Sequence, residues 1–241
     1  MGALSKGRRE IRLLARDPLL LFLVVILFLS LALFVAYPLI SVLMKSLQSE
    51  EGGFSLANYG RFFTFRYLRS SLWNSLTAGF FTAACSVVIG YTAAFTVTRT
   101  SIPWKKALHL LFILPIISPP FTSALSILML FGANGLITRG LLGIRNYNIY
   151  GFRGVLLSQI FTFAPVAYLT LRGVLESLNP TLEDAAMNVG AGRMQTFTKV
   201  TLPLSLPGIA SAFLVVLIES LADFGNPLVL AGSRFPMLST Q

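Results

Sequence analysis

Few side chains in this sequence are able to do chemistry, and the acidic ones carry most of it. Nine Asp and Glu residues stand against nineteen Lys and Arg, with one His and one Cys. Two acidic pairs are distinguished by their spacing. Glu183 and Asp184 are adjacent, followed at once by Ala185 and Ala186 and then, after three residues, by Gly190. Glu219 and Asp223 lie four apart inside an apolar run, a spacing that puts both on one face of a helix. Carboxylates in such a run default to a functional reading, the alternative being a helix-end carboxylate held by a polar partner. Counted from Pro207 at 1.5 Å per residue, Asp223 falls roughly 24 Å along that helix. Other chemistries lack their residues. His109 and Cys85 make neither a His/Cys metal cluster nor an internal disulfide, and there is no Gly-x-x-x-x-Gly-Lys-Ser/Thr loop or His-Glu-x-x-His pair. The expectation is a chain that is no enzyme and holds no cofactor or resident metal, with His109 an interfacial or helix-packing residue.

The first acidic pair needs a short surface helix to present it. Asn179 is placed to cap such a helix with Pro180 at its first position, and Glu183 and Asp184 then lie near its positive end. Gly190 is able to take the left-handed conformation that stops it. Ala185 and Ala186 lack bulk, so a partner surface can approach closely. Pro203 and Pro207 are expected to break the chain again before the next apolar run. The plainer alternative is an ordinary helix-turn between two spans.

Composition sets the surroundings. The chain is 55% hydrophobic and 12% charged, with a mean hydropathy of +0.76, values outside the habit of soluble domains. Its apolar residues come in runs long enough for helices to cross a hydrocarbon core, which takes about 20 residues. Five spans are expected near 19–44, 72–98, 107–131, 154–171 and 207–230, giving an all-α, polytopic transmembrane helix bundle over residues 19–241. The last run is the least regular because it contains Glu219 and Asp223.

Residues 1–18 form a basic N-terminus with Lys6, Arg8, Arg9, Arg12 and Arg16. The apolar run that follows is too long for a signal peptide, so a retained first span with a cytoplasmic N-terminus is predicted. That orientation puts eleven of the nineteen Lys and Arg inside and eight outside. It also puts the Glu183–Pro203 segment in the cytoplasm. The net charge of +10 is spread over loops that flank spans, so acidic membrane lipid, and no nucleic acid, is the expected partner.

The pattern acidic-Ala-Ala, three residues, Gly190, nine residues, Val200, one residue, Leu202-Pro203 resembles the EAA loop of ABC-importer permeases. The family usually has Glu where this chain has Asp184, and Glu183 stands just before it. Leu114-Pro115-Ile116-Ile117-Ser118-Pro119-Pro120, with Leu128 to Gly132 after it, looks like the matching segment of those permeases. Ser55 to Tyr59 and Leu72 to Leu76 also look like family features. Ala222-Asp223-Phe224-Gly225-Asn226-Pro227-Leu228-Val229-Leu230 is most similar to the ferric-iron type.

The resemblance implies a permease subunit of an ATP-driven importer, moving substrate by alternating access from a periplasmic binding protein to the cytoplasm across the inner membrane. ATP hydrolysis belongs to a separate ABC ATPase subunit. That subunit is expected to dock on residues 176–206 through Glu183, Asp184, Ala185, Ala186, Gly190, Leu202 and Pro203. Pro115, Pro119 and Pro120 each remove a backbone donor, so their span is able to bend around a central cavity; a static kink is the alternative. With Glu219 and Asp223 they are the candidate translocation path, ferric iron being the expected cargo. Polyamine, thiamine, sulfate, molybdate and phosphonate permeases share the architecture and remain alternatives. From other classes, a secondary transporter lacks its inverted repeats here, and a multi-pass sensor or assembly protein would lack an ATPase partner. The family half-transporter has six spans and a second permease half, fused or separate. Five spans and one docking loop therefore predict the N-terminal half of a longer or fused permease, with a complete five-span protein as the rival.

Overall fold

The computed structural model describes residues 17–49, 53–145 and 147–241; the basic cluster behind the N-terminal reading lies outside them. The described residues contain helices and no strand, and five of the helices are long and apolar enough to cross a membrane. The chain divides into two compact units, residues 1–65 and 66–241.

In the first unit, α1 (Pro18–Leu31), a π turn (Ala32–Ala36) and α2 (Tyr37–Ser46) make one continuous helix of 29 residues. At 1.5 Å per residue it is about 43 Å long, enough to cross a hydrocarbon core with its ends outside. Asp17 starts it by accepting the amides of Leu19 and Leu20 at 3.1 and 3.2 Å. Its apolar stretch reaches a mean hydropathy of 3.3 with nothing buried, and a helix apolar on every side belongs in lipid. The Ser55–Tyr59 stretch opens α3 (Ala57–Thr64), where Asn58 donates to the carbonyls of Ser46 and Gln48 and so closes the exposed end of α2.

The second unit is built on α4 (Arg66–Arg99), α7 (Phe152–Ser177) and α10 (Leu202–Ala222). Small residues let them approach. Ala83, Ala93 and Ala94 of α4, Ala167 of α7 and Ala212 of α10 are buried in one core with Tyr168, Leu171 and Leu175. At Gly90 a Cβ would stand 2.7 Å from the backbone nitrogen of Tyr168, so the two backbones meet there with no room for a side chain. In lipid, where apolar surface gains nothing by leaving the solvent, such close packing is what holds helices together. A second core at the other end joins Ala78, Ala124, Ile127, Val155, Leu230 and Met237.

Two expected helices have different bounds. Residues 107–131 do not form one bent span: α5 (Lys105–Ile113) runs into a 3₁₀ turn (Leu114–Ile117), and α6 (Pro120–Phe131) begins afresh. Ser118 and Pro119 both precede a proline, which disfavours helical backbone, and both are extended with ψ of 141° and 143°. The stretch long enough to cross a membrane is Phe121–Leu141, in which non-helical residues 132–135 join α6 to a π turn (Leu136–Leu141). In the last span Pro203 and Pro207 do not break the chain. Helical structure runs from Arg193 to Ala222, with α9 (Arg193–Thr196), a π turn (Phe197–Thr201) and then α10. Pro203 directly follows the π turn and the helix continues through it, and Pro207 lies inside the helix. The end is earlier than expected: α10 stops at Ala222, and α11 (Gly225–Leu230) is a separate short helix.

Candidate docking site and membrane polar cluster

The segment between α7 and α10 forms the surface helix that its residues specify. In α8 (Thr181–Asn188) the Asn179 side chain accepts the Thr181 amide at 3.0 Å, with Pro180 already helical. At the other end Gly190 has φ of +94°. Its amide donates to Met187 and that of Ala191 to Ala186, each at 3.0 Å, the paired bonds of a Schellman stop.

The two carboxylates of this helix do different things. Glu183 turns inward, 3.0 Å from the Arg99 guanidinium at the end of α4, and accepts the Thr201 hydroxyl at 3.0 Å. Arg99 in turn donates to the carbonyls of Leu175 and Leu178, at 2.9 and 3.1 Å, where α7 ends. One carboxylate thus fastens α8 to the ends of α4 and α7 and to the approach of α10. Asp184 and Ala185 are exposed, and Asp184 meets no partner among the described residues. Ala186 is half-buried. Leu182, Met187, Val189 and Met194 add exposed apolar surface around them. Leu202 packs at the edge of the core while Pro203 is exposed. Between α8 and the end of α4 lies a cavity of about 760 Å³ lined by Phe95, Arg99, Glu183, Met187, Met194 and Phe197 among others.

Pro115 is half-buried and Pro119 exposed, on either side of the break between α5 and α6. Pro120 is the first residue of α6. Leu114, Ile116 and Ile117 in the break are exposed.

Glu219 and Asp223 do not share an environment. The four-residue spacing leaves them about 40° apart around the axis, and the end of α10 separates them further. Glu219 is exposed. Asp223, 8% exposed, leaves the helix with ψ of 117° and turns back as a cap for α11: its carboxylate accepts the Asn226 amide at 3.2 Å, the Asn226 side chain at 2.9 Å and Gln159 Nε2 at 3.0 Å. Gln159 also donates to the Ser220 carbonyl and accepts the hydroxyls of Thr82 and Ser220. Asn226 accepts the Ser158 hydroxyl. Every polar atom of Gln159 is satisfied, as burial in an apolar bundle demands. The sequence reading missed Gln159, Asn226 and Arg99. An amide within each of two apolar stretches, and a guanidinium closing a long one, were the available signals. Cys85 is a half-buried free thiol, and no three His, Cys, Asp or Glu side chains converge among the described residues.

The chain is similar to known transport proteins. A putative ferric transport system permease protein of Haemophilus influenzae is 36% identical over 212 residues, covering 86% of this chain and 33% of that protein. A ferric transport system permease protein of Actinobacillus pleuropneumoniae is 35% identical, with 31% of its length covered. The chain thus spans about a third of the ferric relatives it matches. A molybdenum transport system permease protein of Mycobacterium tuberculosis is 30% identical, with 83% of this chain and 73% of that one covered. In fold, the chain matches a bacterial alginate ABC transporter solved with a pentasaccharide-bound periplasmic protein, at a TM-score of 0.76 and 19% identity, over 93% of this chain and 80% of that one. Residues 86–240, which hold the α8 segment, the polar cluster apart from Thr82 and most of the three-helix core, match the family model of the binding-protein-dependent transport system inner membrane component, and the chain belongs to that family.

Proposed function

We propose that this chain is the membrane permease part of an ATP-driven importer for ferric iron. The observation that carries the reading is the Schellman-stopped α8, which exposes Asp184 and Ala185 while Glu183 ties it to Arg99. An ABC ATPase seated on α8, with Leu202 and Pro203 at its base, would move the helix when it closes on ATP. The Glu183 contacts give that motion a route to α4, α7 and α10 together. In this reading α8 and the N-terminus are cytoplasmic, a periplasmic binding protein delivers the cargo, and a second permease half, fused or separate, closes the path.

The break at Pro115, Pro119 and Pro120 supports a pathway there, because non-helical backbone at membrane depth is tolerated where it lines a polar cavity or is buried in protein. Glu219, exposed on α10, is the carboxylate available to a passing cation, whereas Asp223 is held inside the bundle by Gln159 and Asn226. The relatives at 35–36% identity support iron as the cargo. Oxyanion transport is the second reading, favoured by the molybdenum permease at 30% and a sulfate permease of Salmonella typhimurium at 31%. Reconstitution with an ABC ATPase and a periplasmic binding protein that copurify with the chain tests both. ATP-dependent uptake of ferric iron above sulfate or molybdate is expected; uptake of an oxyanion alone would replace the cargo, and no ATP-dependent uptake of any would end the importer reading.

A further inference from the structure

Beside the docking helix, at the same end of the bundle, a cavity of about 430 Å³ opens between the end of α4, the start of α5 and the last turns of α7. Its volume lies in the range of small-molecule sites, about 300–1,000 Å³. Its lining carries four cations, Arg99, Lys105, Lys106 and Arg172, beside the His109 ring and one acid, Glu176. The arginines are engaged. Arg99 pairs with Glu183, and Arg172 pairs with Glu176 at 2.7 Å while a second nitrogen rests 2.8 Å from the His109 ring. Two charges are left over. Neither Lys105 nor Lys106 has a hydrogen bond or ion pair among the described residues. Both sit in the first turn of α5, the end of a helix where cations are disfavoured, and no acid accompanies them there. Two unneutralised ammonium groups on a cavity already ringed by guanidinium call for an anion.

The flank of the cavity says where that anion comes from. Trp104, just before the lysines, is 75% exposed, and Leu110 and Leu111 further along α5 are 66% and 68% exposed. A cationic pocket at helix ends, bordered by an exposed indole and an apolar helix face, has the layout of a membrane interface, with the indole at headgroup depth. We propose that this cavity binds the phosphate of an anionic phospholipid headgroup, with Lys105 and Lys106 as its principal contacts and the Arg172–His109 pair as its back wall. The leaflet concerned, the cytoplasmic one, rests on the proposed function; the site itself does not.

The test uses Trp104 as its own reporter. The chain has two tryptophans, so the full chain carrying Trp73→Phe leaves Trp104 alone. It is placed in phosphatidylcholine bilayers containing either brominated phosphatidylglycerol or brominated phosphatidylcholine, and quenching of Trp104 is compared at equal mole fraction. The anionic lipid should bind preferentially by about fivefold or more, on the scale of one lysine's attraction to an anionic surface. Lys105→Gln with Lys106→Gln should bring the preference close to unity, and Lys199→Gln, outside the cavity, should leave it. No preference in the parent chain would overturn the site. So would an equal loss in Lys199→Gln, which means diffuse attraction, or a preference that survives the double substitution. Loss of preference on adding millimolar inorganic phosphate would assign the cavity to a soluble phosphate compound and overturn the lipid. An unchanged lipid preference combined with lost ATPase copurification in the double variant would make it a protein contact, again overturning the proposal. No ATPase or cargo enters the lipid measurement, so a failed importer reading and a failed lipid site are told apart.

Discussion

Glu183, on the surface helix, lies 3.0 Å from Arg99, the last residue of the long helix α4, and both side chains are mostly buried. A partner that pushes on α8 therefore pushes on a charge held between α4, the end of α7 and Thr201 ahead of α10. Glu183→Gln keeps an oxygen for the Thr201 hydroxyl and removes the ion pair. The expected result is normal membrane abundance with reduced ATPase stimulation in the assembled complex. A double-mutant cycle with Arg99→Gln, read by thermal unfolding in detergent, should give a coupling energy between about 0.5 and 3 kcal/mol. Additive single effects would show that the pair transmits nothing.

Gly190 offers a cleaner perturbation, because a Cβ there meets nothing within 4 Å and only its φ of +94° resists substitution. Gly190→Val puts a β-branched residue into left-handed backbone, at about 1–2 kcal/mol for the chirality alone. The spans are packed elsewhere and should stay intact. ATPase copurification should fall in Gly190→Val and be largely retained in Gly190→Asn, since asparagine tolerates this backbone. Equal behaviour of the two variants would mean that the turn is not what the partner reads.

Much of this was legible in the residues because it is local chemistry. Asn179 caps α8 and Gly190 stops it through bonds that span only a few residues, and apolar runs mark four of the five long stretches, the third being shifted from 107–131 to Phe121–Leu141. The sequence gives no view of contacts between distant segments. Nothing near Glu183 announces Arg99, and nothing near Asp223 announces Gln159; both pairings exist because small residues such as Gly90 draw α4, α7 and α10 together. The chain breaks at Ser118 and Pro119 where one bent span was expected, and it runs on through Pro203 and Pro207 where a break was expected. A proline's effect depends on its neighbours: Ser118-Pro119-Pro120 forces two extended residues in a row, whereas Pro203 follows a π turn and is carried within a continuous helix.

Orientation is open to direct measurement. Asn188, at the end of α8, is exposed, and Ser49 follows the first long helix. In a Cys85→Ala background, single cysteines at these two positions should react with an impermeant thiol reagent from opposite sides, Asn188→Cys from the cytoplasm and Ser49→Cys from outside. Reaction of both from the outside would reverse the proposed docking face.

The two carboxylates near the end of α10 should separate stability from transport. Asp223 offers two acceptor oxygens to three donors, two of them on one oxygen. Asparagine has a single acceptor oxygen, so either orientation of Asp223→Asn turns an NH₂ toward buried N–H groups. An unsatisfied buried donor costs about 1–3 kcal/mol, and the thermal midpoint in detergent should fall accordingly. Glu219 is exposed and has no partner among the described residues. Glu219→Gln should leave the midpoint in place and, if the proposed path runs past it, lower ferric-iron uptake by the reconstituted complex severalfold. The reverse pattern, an unmoved midpoint with abolished uptake in Asp223→Asn, would make Asp223 the ion's contact and reduce the cap to an accompaniment.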